Sequence, residues 1–173
     1  GEDQGDHAGM GVSSAGDVNG DGYDDILIGA PGQDVNAGNE GAAYLFHGPI
    51  SGDISLWAAD GVLLGELASS STGWFVAHAG DVDADGFADV LVGSYSGAGR
   101  AYLVYGPMDD SPIDLAAADA TFVNNEESGT YTGASVSSAG DIDGDGYDDI
   151  LIGAFAAYNW AGAAFLYYGG PRF

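Results

Sequence analysis

The chain of 173 residues has the length of one ordinary domain and, at 46% hydrophobic residues, enough apolar material for a core, which argues against disorder despite the charge. Its 27 acidic residues face only Arg100 and Arg172, for a formal net charge of −25. No basic patch exists to displace counterions from a phosphate backbone, so nucleic acid is excluded as a partner. Cysteine is absent, which removes any disulfide framework, and no apolar run approaches the about 18 residues of a membrane span, so no membrane insertion is expected.

In chain order, the first strand-length segment lies in "GMGVSSAGD" (9–17) and runs into an aspartate-rich loop, "DVNGDGYDDILIGA" from Asp17. The apolar run "DILIGAP" follows, then "GAAYLFHGP" (41–49) and a weaker segment, "ISLWAADGVLLGE" (54–66). The same order returns as "GWFVAHAGD" (73–81), "DVDADGFADVLVGS", "GRAYLVYGP" (99–107) and "IDLAAADATFVNNE" (113–126). It begins a third time as "GASVSSAGD" (133–141), "DIDGDGYDDILIGA" and "GAAFLYYGG" (162–170), and the sequence stops at Phe173 without a fourth segment.

These runs are short, rich in β-branched and aromatic residues, and bounded by Gly and Pro; no capped helical period appears, and 31 glycines suit tight turns. The fold class read from them is all-β. The aspartate loops start 64 and then 60 residues apart, and a repeat of that length carrying four short strands is the pattern of a β-propeller blade of four antiparallel strands. One propeller segment with about three repeats is predicted, at about 9–72, 73–132 and 133–173, the last lacking its outer strand. Rings close with four to eight blades. An incomplete ring leaves apolar sheet faces open at both ends, so further blades are expected as partners, from the same protein or from another copy.

The loops carry the chemistry. Counting Asp141 as position one, positions three, five and nine are Asp143, Asp145 and Asp149, position six is Gly146 and position seven is Tyr147, which is the oxygen spacing of a calcium loop. Without an ion, each neighbouring carboxylate pair costs on the order of 1–4 kcal/mol in repulsion. Turn chemistry alone needs one Asp and not four at fixed offsets. An EF-hand requires a glutamate at position twelve, where this chain has Ile28, Val92 and Ile152, so position nine has to supply the closing carboxylate.

With "GAP" at 29–31 after the first loop, the three aligned units resemble the FG-GAP repeats of integrin alpha-chain propellers and of related bacterial surface proteins. The resemblance implies three Ca²⁺ sites. Their ligands would be Asp17, Asn19, Asp21, the Tyr23 carbonyl and Asp25; Asp81, Asp83, Asp85, the Phe87 carbonyl and Asp89; and Asp141, Asp143, Asp145, the Tyr147 carbonyl and Asp149. Asn19, a neutral oxygen, should weaken the first site slightly. A calcium-binding segment at the cell surface or outside the cell is implied, with a structural or adhesive role toward a protein or glycan ligand and no catalysis. The alternatives are a propeller-type polysaccharide hydrolase or lyase and a carbohydrate-binding module.

The remaining candidates are weaker. His7, His47 and His78 occupy unrelated repeat positions with no second His or Cys at metal spacing, and they read as packing residues. Ser13, Ser14, Ser137 and Ser138 have no partnered histidine and read as turn or strand-edge residues. Glu126 with Glu127 and Asp109 with Asp110 are the obvious acid pairs for glycoside hydrolysis, but adjacent side chains on extended backbone point to opposite faces. Trp160 is a loop aromatic that reads as packing before recognition. The lack of a targeting signal and of an initiator Met reads as a mature or excised segment.

Overall fold

The computed structural model describes residues 3–35, 38–96, 99–124 and 129–172. Four strands, β1 (Val12–Gly16), β2 (Asp25–Ala30), β3 (Ala42–Phe46) and β4 (Gly61–Leu64), form the first antiparallel meander. β5 (Thr72–Gly80), β6 (Asp89–Ser94) and β7 (Arg100–Val104) open the second, which passes through a two-residue strand β8 (Ile113–Asp114) and closes with β9 (Ala120–Phe122) on β7. β10 (Thr132–Gly140), β11 (Asp149–Ala154) and β12 (Ala163–Tyr167) make the third. The chain is therefore all-β, an incomplete β-propeller of consecutive blades. β8 falls within a segment that reads from sequence as blade two, yet it pairs in parallel with β4 and extends the first sheet to five strands.

Side chains alternate across each sheet, so one set of positions faces the next blade and the other faces the preceding one. Leu27, Ala43, Leu45 and Leu63 of the first sheet pack on Val76, Val90, Val92, Tyr102 and Val104 of the second. From the opposite face of the second sheet, Leu91, Ala101 and Leu103 pack on Ile150 and Ile152 of the third. The register explains the repetition: Leu27↔Leu45, Leu91↔Leu103 and Leu151↔Leu166 are equivalent cross-strand pairs.

The two end faces differ. Leu151 stands where Leu27 and Leu91 are fully buried, and it is 39% exposed, so the forward face of the third sheet is open. The backward face of the first sheet, expected to be open, is partly covered by its own chain: Ala8, Leu56 and Ala59 lie over Tyr44 and Phe46, which are buried, while Ile26, Ile28 and Val62 are half-buried. Leu56 belongs to a 3₁₀ turn (Leu56–Ala58) capped by Ser55, whose Oγ accepts from Trp57 N.

Blades approach closely at glycines on the second strands. Gly29 lies against the Gly73 carbonyl and Gly93 against the Gly133 carbonyl, with no room for a Cβ at either place. Gly93→Ala is expected to cost about 1–3 kcal/mol by overpacking and to lower the thermal midpoint by about 3–10 °C. Gly170→Ala, where a Cβ meets nothing within 4 Å, should leave the midpoint in place, and calorimetry of the two variants measures the difference.

Candidate metal centre

Each aspartate loop closes the hairpin between the first and second strands of its blade. The position-one carboxylate organises it. Asp17 Oδ1 accepts from Gly20 N (2.7 Å) and Asp21 N (3.1 Å), and its Oδ2 from Gly22 N (2.9 Å). Asp141 repeats this with Gly144, Asp145 and Gly146, and Asp81 with Asp85 and Gly86. The glycine at position six sits at φ +91, +93 and +94 in the three copies, a left-handed conformation that turns the backbone amide onto the carboxylate.

Positions three and five continue the pattern. Asn19 Oδ1, Asp83 Oδ1 and Asp143 Oδ1 accept from the position-five amide at 2.9, 3.2 and 3.2 Å. The position-five Oδ1 of Asp21, Asp85 and Asp145 accepts from the amides of Tyr23, Phe87 and Tyr147 at 2.9, 3.0 and 3.0 Å. In the aspartates one oxygen thus shapes the loop, and the other, the outward one, accepts from no described backbone amide; Asn19 has no second oxygen and carries Nδ2 in its place.

Position nine has a structural role beside the closing-ligand role expected of it. Asp25, Asp89 and Asp149 are fully buried. In each, Oδ2 accepts from the position-two amide (Val18 2.9, Val82 2.7, Ile142 2.9 Å), and Oδ1 accepts from a glycine beyond the third strand (Gly48 2.8, Gly106 2.9, Gly169 2.9 Å). A carboxylate oxygen has two lone pairs, so each retains capacity for an ion. No pattern of spacing reveals the second partner, which lies 17–23 residues away.

The loops are also joined to each other. Asp17 O accepts from Ala88 N (3.0 Å) and Val18 O from Met108 N (2.9 Å), while Asp81 O accepts from Asp148 N (3.1 Å) and Val82 O from Gly170 N (2.9 Å). In addition, Asp148 Oδ2 accepts from Asp81 N (2.9 Å). One edge of the blade stack is a chain of loops, each hydrogen-bonded to the next.

The donor set is all oxygen, which suits a hard cation such as Ca²⁺. Asp81, Asp83 and Asp85 bring carboxylate oxygens within 4.8 Å of one another, and so do Asp141, Asp143 and Asp149. Two oxygens each about 2.4 Å from one ion lie at most about 4.8 Å apart, so the spacing of either group is compatible with a shared cation. The first loop, with Asn19 at position three, brings no three carboxylates to that spacing among the described residues.

Burial pushes the Asp89 carboxyl up to about 7, with Asp83 and Asp81 adding to the shift and the Gly106 and Val82 amides opposing it. Asp143 is raised as well, by desolvation first and then by Asp145, Asp149 and Asp141, against the Asp145 amide.

Other sequence candidates fall apart or fall elsewhere. Glu126 and Glu127 lie outside the described residues. Asp109 Oδ1 accepts from Ser111 N in an exposed turn, and Asp110 points instead toward His47, Nδ1 to Oδ1 3.7 Å. With Asp60 these two make a His–Asp–Asp group within 4.8 Å that the sequence did not reveal, because its members lie on three separate segments. Ser13 and Ser137 donate to the carbonyls of Ser14 and Ser138, and Ser14 and Ser138 accept from Gly16 N and Gly140 N, the turn role expected of them. Trp160 is 71% exposed at the end of an aromatic row formed by Trp74, Tyr95, Tyr131 and Phe155, at the opposite strand ends from the aspartate loops.

Comparison with known proteins places these features in a family. The FG-GAP repeat model matches residues 8–46, 72–104 and 132–167. Human integrin alpha-IIb is 34% identical over 153 residues, covering 82% of this chain and 14% of the relative. Integrin alpha-6 of Gallus gallus is 31% identical over 143 residues (81% and 13%), and integrin alpha-5 of Xenopus laevis is 29% identical over 167 residues (90% and 15%). The chain spans about one seventh of the length of these relatives.

The raised carboxyls set a pH dependence. Between about pH 4 and pH 7 the folded, calcium-free chain keeps protons that the unfolded chain has released. The stability contributed by Asp89 is therefore complete below about pH 4 and lost as pH rises through 7. In chelator the melting temperature is expected to fall across that window, and Asp89→Asn should remove part of the slope in a series of thermal melts.

Proposed function

The chain belongs to the FG-GAP repeat family, and on that premise we propose that it is a calcium-stabilised, extracellular β-propeller segment with a structural or adhesive role. The observation that carries the calcium reading is the third loop, where Asp141, Asp143 and Asp149 converge within 4.8 Å. No described cationic side chain contacts them. A divalent ion converts that repulsion into attraction. The outward oxygens of positions three and five, the remaining lone pairs of positions one and nine and the position-seven carbonyl hold it. The same set at Asp81, Asp83, Asp85, Phe87 and Asp89 makes the middle site, and Asp17, Asn19, Asp21, Tyr23 and Asp25 make the first, where Asn19 can offer only the lone pair left on its loop-shaping Oδ1.

Because each loop also accepts hydrogen bonds from the next blade, an ion that stiffens a loop stiffens a joint between blades. Exposed loops of this kind bind calcium at about 0.1–1 mM, a concentration range met outside cells, and the acidic surface is at home in an ionic medium. Among the described residues no helix is long and apolar enough to cross a membrane. The open face around Leu151 and Leu166 supports association with further blades, from the same protein or another copy. At the other strand ends, Phe155, Tyr158 and Trp160, 45%, 57% and 71% exposed, offer an adhesive surface for a protein or glycan.

At about ten times its dissociation constant, calcium adds about 1.4 kcal/mol per site by mass action, and three sites add about 4 kcal/mol. Chelation is accordingly expected to lower the melting temperature by roughly 10 °C, and an unmoved melting curve refutes the calcium reading. Asp143→Asn keeps the oxygen that shapes the loop and removes its charge. It should weaken calcium binding at the third loop, seen by calorimetry, while leaving the calcium-free melting temperature unchanged or raised. Light scattering with calcium present should return more than the 17.4 kDa of one chain, and a monomer would count against association through the Leu151 face.

A further inference from the structure

The three loops share one backbone and balance their negative charge in three ways. In the first, position three is neutral, and Asn19 Nδ2 lies 3.3 Å from the outward oxygen of Asp21. In the third, no described side chain donates to the outward oxygens of Asp143 or Asp145. In the middle loop, Arg172 takes both: Nε donates to Asp83 Oδ2 and Nη2 to Asp85 Oδ2 (2.7 Å), with Nη2 also on the Gly106 carbonyl.

The third blade delivers this side chain. Past β12, Gly169 N bonds Asp149 and Gly170 N bonds Val82 O, which lands the chain on the middle loop two residues before the guanidinium. Arg172 then lies over the Tyr105 ring, 4.8 Å from its centroid. Its side chain is 44% exposed, whereas that of Asp83 is 1% exposed. Only one other basic residue exists in the chain, and Arg100 is engaged elsewhere, 3.1 Å from Glu66 Oε1.

We propose that Arg172 is the resident counter-ion of the middle loop and competes with the divalent cation for Asp83 and Asp85, so that the third loop loads before the middle one. The proposal rests on the calcium reading above and adds to it an order of loading. The oxygens that shape the loop are common to all three copies, so the affinity difference resides in the outward oxygens. A guanidinium fills their lone pairs with N–H donors and sets a permanent positive charge, never deprotonated in a protein, where the ion has to enter. The segment from Gly170 to Arg172 also lines a cavity of about 610 Å³ between the second and third blades together with Leu103, Tyr105, Phe122 and Tyr167.

The test is a titration of the calcium-free chain with CaCl₂ followed by ¹⁵N amide spectra. Gly22, Gly86 and Gly146 each donate to the position-one carboxylate of their own loop and so report the three sites separately. In the unaltered chain, Gly86 is expected to shift at about three- to tenfold higher calcium than Gly146, the range that one partly exposed charge provides. Arg172→Gln should bring the Gly86 midpoint down by that factor and leave Gly146 in place. Arg100→Gln removes the same charge far from the loop and should move neither. Arg172→Lys keeps the charge without the planar fork; it should fall between and serves as the reading if the glutamine variant does not fold. A Gly86 midpoint unchanged or raised in Arg172→Gln overturns the proposal while leaving the calcium reading intact. No calcium-dependent shift at any of the three glycines removes both.

Discussion

Asp25, Asp89 and Asp149 are the pivots of this architecture. Each is a fully buried carboxylate that ties the entry of the loop, through a position-two amide, to the chain leaving the third strand, through a glycine amide. Burying a charge is tolerated only when it is well paired, and two backbone donors per carboxylate are what this fold supplies. Because the same side chain faces the aspartate loop, blade geometry and the candidate ion site share one residue.

From that pivot the structure propagates sideways. The carbonyls of positions one and two accept from the neighbouring blade at both joints, so the loops form one hydrogen-bonded edge rather than three separate hairpins. At the other edge, Gly41 bridges to Thr72 and Gly99 to Thr132, and the hydroxyl pairs Ser70–Thr72 and Thr130–Thr132 recur beside them. Apolar packing between Leu-bearing and Val- or Ile-bearing faces fills the space between these two polar seams. The acid concentrated before each second strand therefore answers a structural need as well as a chemical one.

Much of this was legible in the sequence, and the reason is periodicity. Three copies of one unit fixed the strand order, the all-β class and the loop positions, because each copy supplies the same turn chemistry and the same alternation. What escaped reading depends on contacts between copies. The pairing of β8 with β4 puts part of one unit into the sheet of another. The position-nine staple needs a partner 17–23 residues away, the Arg172 contact spans 87–89 residues, and the His47–Asp60–Asp110 group draws on three segments. The cover over Tyr44 and Phe46 was likewise hidden, since Leu56 sits in a turn of no clear period. Similarity between units is visible along a string; complementarity between them is not.

The two inter-blade joints use opposite faces of the middle sheet, a Leu face looking forward and a Val and Tyr face looking back. Such a joint has polarity: it fits front to back and not front to front. Adding or removing one whole unit therefore keeps every remaining joint of the Leu-on-Val or Leu-on-Ile kind.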